Sequence, residues 1–118
     1  MSGRGYRDLI AWQKAMELAE ATYAVSVDLP IEEKYGLTSQ LRRAAVSVPS
    51  NISEGHGRSS PKDFARFIEH AMGSLFEVET QLMLSVRLKM LRAENVDRVL
   101  EQAAEVGRIL NGLLRSLQ

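Results

Sequence analysis

Two histidines, fifteen carboxylates and no cysteine are the material for catalysis in this 118-residue chain. Without cysteine there is no thiol nucleophile, disulfide framework or Cys-based zinc site. Helical bundles can hold metal ions through Glu-x-x-His motifs on facing helices. Three residues before His56 stands Ser53, and three before His70 stands Phe67. The nearest upstream carboxylates, Glu54 and Glu69, lie two and one residues away, spacings that face different sides of a helix. No metal site, cofactor site or catalytic constellation is read from these residues, and the chain is expected not to be an enzyme. Gly55-His56-Gly57 follows a helical pattern and lacks Gly-Lys-Ser/Thr, so it reads as a helix stop rather than a phosphate loop.

The polar residues beside Pro49 are more suggestive. Arg43, Ser47, Ser50 and Glu54 recur at steps of four, three and four, which places them on one side of a helix with Asn51 nearby. The spacing predicts that they satisfy backbone groups loosened by the proline and pair with the next helix. The alternative is a site for a polar ligand or phosphate. Arg58, Lys62 and Arg66 cluster where a third helix should begin, and free amides at a helix N-terminus favour phosphate. With Arg42 and Arg43 upstream, these are the candidate nucleic-acid contacts. Lys plus Arg and Asp plus Glu are 15 each, which excludes a globally basic binder but not a local patch.

The elements that must position these groups are helices. Apolar residues are 45% and charged residues 25% of the chain, ordinary values for a soluble domain. No apolar run is long enough to cross a bilayer. The polar N-terminus carries no secretory signal, so a cytoplasmic protein is expected. Asp8 is the expected N-cap of a first helix whose inner stripe is Leu9, Trp12, Met16, Ala19 and Tyr23. Pro30 closes it. Leu37, Leu41, Ala44, Val48 and Ile52 line a second helix, kinked at Pro49. Ser60, Pro61 and Asp63 announce a third, with Phe64, Phe67, Ile68, Ala71, Leu75, Val78 and Leu82 as its core stripe, running to about Lys89. Val96, Val99, Leu100, Ala103, Val106, Leu110, Leu114 and Leu117 line the fourth. Short links predict an all-α fold, an antiparallel up-and-down four-helix bundle over residues 8–118, preceded by a loose segment at 1–7.

Apolar residues are left over. Ile10, Ala11, Leu18, Ala21 and Val25 lie away from the Trp12–Met16–Tyr23 stripe, and Met72, Phe76 and Met83 widen the apolar arc of the third helix. Exposed stripes of this kind mark association, so these residues are the candidate subunit interface. Gly73, a mid-helix glycine, is expected where a helix or another subunit approaches closely.

Three runs carry a family resemblance: Tyr6 to Met16 (YRDLIAWQKAM), Tyr35 to Gly55 (YGLTSQLRRAAVSVPSNISEG) and Gly73 to Leu82 (GSLFEVETQL). They resemble the bacterial four helix bundle proteins, also called 23S rRNA-intervening sequence proteins, across nearly the whole chain. The resemblance implies an antiparallel bundle that assembles as a homopentamer. It also implies RNA, or a nucleic-acid enzyme such as a reverse transcriptase, as the partner class, and it brings no catalytic residues; the alternative is a purely structural protein–protein assembly module without nucleic-acid binding. The recurring motif positions here are Arg43, Ser47, Pro49, Ser50, Asn51, Glu54, Gly73 and Glu77.

Overall fold

The computed structural model describes residues 5–118. A single 3-10 turn, Gly5–Asp8, leads into α1 (Ile10–Ser26), α2 (Leu37–His56), α3 (Pro61–Arg87) and α4 (Ala93–Ser116). No strand occurs among the described residues. Each helix packs against its two neighbours, α1 on α2 and α4, α3 on α2 and α4, and the diagonal pairs do not touch. The result is an all-α, antiparallel, up-and-down four-helix bundle measuring 47 × 23 × 23 Å. Its length is that of α3, since 27 residues at 1.5 Å each span about 40 Å.

Each boundary has a local cause. Ser60 Oγ accepts from Asp63 N at 3.1 Å, capping α3 as its sequence predicts. Glu33 Oε1 accepts from Leu37 N at 3.0 Å and opens α2. At the end of α3, Lys89 takes φ 61°, Lys89 N donates to Val86 O and Met90 N donates to Ser85 O, both at 2.9 Å. That pair of bonds is a Schellman closure built on lysine instead of glycine, and it ends the helix two residues before the expected Lys89.

Most of the stripes expected of α2, α3 and α4 are buried, among them Leu41, Val48 and Ile52, Ile68, Leu75, Val78 and Leu82, and Val96, Val106 and Leu110, while Phe64, Leu100, Leu114 and Leu117 are half-buried against the same core. Pro49 interrupts no helix: α2 is continuous from Leu37 to His56, with Gly57 as its C-cap, and so ends within the expected stop Gly55-His56-Gly57. Gly55 is also a contact. A Cβ there would lie 2.5 Å from Phe67 Cβ and 3.0 Å from Phe64 Cδ1, so only glycine lets α3 come this close.

The first helix departs most from expectation. Asp8 belongs to the 3-10 turn, and Leu9 stands at the N-cap without a side-chain bond. The buried face is Ala11, Ala15, Leu18, Thr22, Val25 and Ser26. Ala11, Leu18 and Val25 are therefore core residues, at 3%, 0% and 8% exposure, and not subunit-interface residues. Ala21 is half-buried against the same core. The cause is size. Alanines fit a crowded interior, and Thr22 meets its hydrogen-bond need internally by donating to Leu18 O at 2.8 Å. Met16 and Tyr23 sit 38% and 43% exposed at the bundle's edge. The expected loose segment falls partly outside the described residues, at 1–4. Its Tyr6 lies edge-on to Trp12 with ring centroids 5.3 Å apart.

Candidate functional site

Two surfaces flank α2, and they differ in chemistry. Toward α1, Tyr6, Trp12, Met16, Tyr23, Val46 and Pro49 wall a groove of about 540 Å³. Its polar rim is Glu20, Ser50 and Ser53. Apolar grooves of this size hold ligands or partner side chains. Beside Tyr23 stands Arg42: its Nε donates to Ser26 Oγ at 2.8 Å, and its guanidinium lies 4.9 Å from the centre of the Tyr23 ring.

Toward α3, the surface is polar. Ser47 Oγ and Ser74 Oγ are 2.7 Å apart across the two helices. Asn51 Nδ2 donates to both Ser47 O and Ser47 Oγ at 2.9 Å. One turn along α2 from Ser47, Arg43 lines a slot of about 230 Å³ with Gln40, Ala44, Ser47, Ser74 and Glu77. At the Gln40 end, Gln81 Nε2 reaches Gln40 Oε1 at 3.4 Å, and Gln81 Oε1 is buried without a donor.

The spacing argument thus brought Arg43, Ser47 and Asn51 to one site but assigned some partners wrongly. Asn51 bonds to Ser47, not to the Ala45 carbonyl that Pro49 leaves free. No ion pair joins α2 to α3 among the described residues. Glu54 pairs within its own chain turn, with Arg58 Nη2 at 3.2 Å. Ser50 lines the other groove.

The five candidate nucleic-acid contacts do not converge. From Arg42 and Arg43 to the end of α2 the axis runs about 20 Å. Arg58 and Arg66 do meet: their guanidinium carbons lie 4.8 and 4.7 Å from the centre of the Phe67 ring. Each also has a carboxylate neighbour, Glu54 at 3.2 Å and Asp63 at 4.0 Å. Lys62, exposed beside Arg66, has neither kind of partner.

Of the expected interface residues, Ile10, Phe76 and Met83 are 57%, 55% and 48% exposed, while Met72 is half-buried against the core. Phe76 stands about 200° round α3 from Ser74 at 100° per residue, on the far side from α2. Gly73 meets nothing within 4 Å, so no close approach inside this chain accounts for it. On the same outer side, burial raises the Glu79 carboxyl above its ordinary range. No group of three or more potential metal ligands occurs among the described residues, and no described helix is long and apolar enough to cross a membrane.

The bundle's shape and the sequence agree with one set of relatives. Residues 7–112 match the family described as 23S rRNA-intervening sequence protein. The chain belongs to that family. A crystal structure from Bacteroides thetaiotaomicron, of a protein of unknown function in the S23 ribosomal protein family, superposes with a TM-score of 0.82. At 23% identity, over 89% of this chain and 98% of that one, it shows a shared fold. A 4-aminobenzoate synthase of Chlamydia trachomatis is 33% identical over 82 residues, 70% of this chain. The aligned stretch spans 34% of that protein. Within the matched residues, Ser47 and Gly55 serve the α2–α3 contact, and Asn51 bonds to Ser47.

Proposed function

We propose that the chain is a non-catalytic scaffold working as a closed homo-oligomer, its subunits joined head to tail. The support is that apolar side chains are exposed on opposite sides of the bundle. One side is the Trp12–Met16–Tyr23 groove, and the other is the outer edge of α3 with Phe76 and Met83. Two different patches on opposite sides make a heterologous contact, which closes into a ring when the rotation allows. Gly73 fits this reading. A mid-helix glycine costs about 1 kcal/mol against alanine, and an approaching subunit would give it a use. Five copies is the ring size that the family resemblance implies. Multi-angle light scattering tests it: a discrete assembly near five subunits is expected, and Phe76→Ser with Met83→Ser should yield a folded monomer. A wild-type monomer at micromolar concentration would overturn the proposal.

RNA is the second reading, supported by Arg58, Lys62 and Arg66 at one end of the bundle. Three cations against Glu54 and Asp63 leave a single net charge per subunit, so binding would depend on repetition around a ring. Such binding weakens steeply with salt through counterion release. Anisotropy titrations of structured RNA at low and high salt check it. Replacing all three cations by serine should flatten the salt slope while leaving the oligomer intact. Unchanged binding would remove this reading.

A further inference from the structure

The slot between α2 and α3 carries opposite charges that do not neutralise each other. Arg43 and Glu77 line it from facing helices, both exposed, and neither has an ion-pair partner among the described residues. One turn along from both, at one end of the slot, lies the Ser47–Ser74 hydroxyl pair, with Ser74 9% exposed. Asn51 spends both Nδ2 hydrogens on Ser47. Two hydroxyls sharing one bond then leave one O–H with no acceptor. The other end is lined by Gln40, which accepts from Gln81 Nε2 at 3.4 Å.

A slot so equipped selects by charge. Phosphate or any simple anion suits Arg43 but is opposed by Glu77. A simple cation meets the reverse situation. A molecule carrying both charges satisfies both walls: its carboxylate takes the Arg43 guanidinium and the spare hydroxyl hydrogen, and its ammonium takes the Glu77 carboxylate. About 230 Å³ is room for a small molecule, not for a helix. We propose that this slot binds a small zwitterion with one carboxylate and one ammonium group, of which free amino acids are the simplest kind. The proposal does not rest on the assembly described above, because the slot lies between α2 and α3 of one chain.

The probes are glycine, β-alanine, 4-aminobutyrate and 5-aminovalerate, which step the distance between the two charges. The N-acetyl and carboxamide forms of each serve as controls. Backbone amide shifts of Ser47 and Ser74 in NMR titrations of the full chain are the readout. At least one zwitterion should saturate these shifts below about 10 mM, with both controls weaker by about tenfold or more. Arg43→Glu and Glu77→Arg should each abolish binding, and the doubly inverted variant should regain it to within a few-fold. Melting curves on the variants confirm that they fold, as expected for exposed residues without partners. Equal binding of the controls, indifference to the single inversions, or no saturation by any probe would each overturn the proposal. Light scattering on the same samples keeps that result separate from the fate of the oligomer.

Discussion

Toward α1, helix α2 shares an open groove with Trp12, Met16 and Tyr23; toward α3, it touches through Ser47 and Gly55. Large aromatic side chains hold the first pair of helices apart at the surface and leave apolar area uncovered. A missing side chain and a short hydroxyl contact draw the second pair together. The two sides of one helix are therefore specified differently. The α2–α3 seam is set by what fits, and the outer α1–α2 face by what it has left to bury. Substitutions on the first should cost stability. Substitutions on the second should cost association and little else.

The largest effect tests where α1 keeps its core. Leu18→Ala should lose about 2–5 kcal/mol of unfolding free energy in denaturant titrations, as full burial demands, whereas Met16→Ala in the groove should change it by less than about 0.5 kcal/mol. Comparable losses at both sites would erase the distinction between the two faces. Next comes a pair of glycines. Gly55→Ala should destabilise by about 1–3 kcal/mol through overpacking against Phe67. Gly73→Ala, with open space around it, should stabilise the isolated subunit by up to about 1 kcal/mol. If it also weakens the oligomer in light scattering, the outer edge of α3 is the contact.

Asn51→Ala should cost about 1 kcal/mol, the scale of a net hydrogen bond, and a melting temperature equal to wild type would free Asn51 for a ligand role. The smallest effect concerns Glu79. Its folded pKa is raised by burial, so the folded state holds the proton more tightly than the unfolded one. This contribution is present below the unfolded pKa and is lost as pH rises through the folded value. Glu79→Gln should flatten that slope between weakly acidic and neutral pH in thermal melts, with a slight gain at neutral pH.

Much of this fold is legible in residue order. Leu41, Val48 and Ile52 and the Ser60–Asp63 cap are local signals, and the structure uses them locally. Helix α1 misleads because it carries two apolar stripes. Periodicity does not weigh Ala11 and Ala15 against Trp12 and Tyr23 by volume, and interior space does. Gly55 reads as part of a helix stop, and the helix does end there, but its contact with Phe67, brought back from the next helix, is not legible along the chain. For the same cause only half of the candidate slot is visible beforehand. Arg43, Ser47 and Asn51 share a face of α2 by spacing alone. Gln40 and Ser74 join them only once the α2–α3 register is set, and Glu77, though part of a recognised motif, has no assigned place until then.

The chain carries one tryptophan, and it stands in the α1–α2 groove with its ring edge-on to Tyr6. The indole is half-buried, so its emission reports the wetness of this surface and of no other. Whatever covers the groove, a neighbouring subunit or a foreign chain, should shift that emission to the blue, and dilution to free subunits should return it to the red. Binding in the Arg43–Glu77 slot, on the other side of α2, should leave it dark to the observer. The protein thus holds an intrinsic optical probe on one flank of α2 and none on the other, which lets the two surfaces be followed separately in one cuvette without a label.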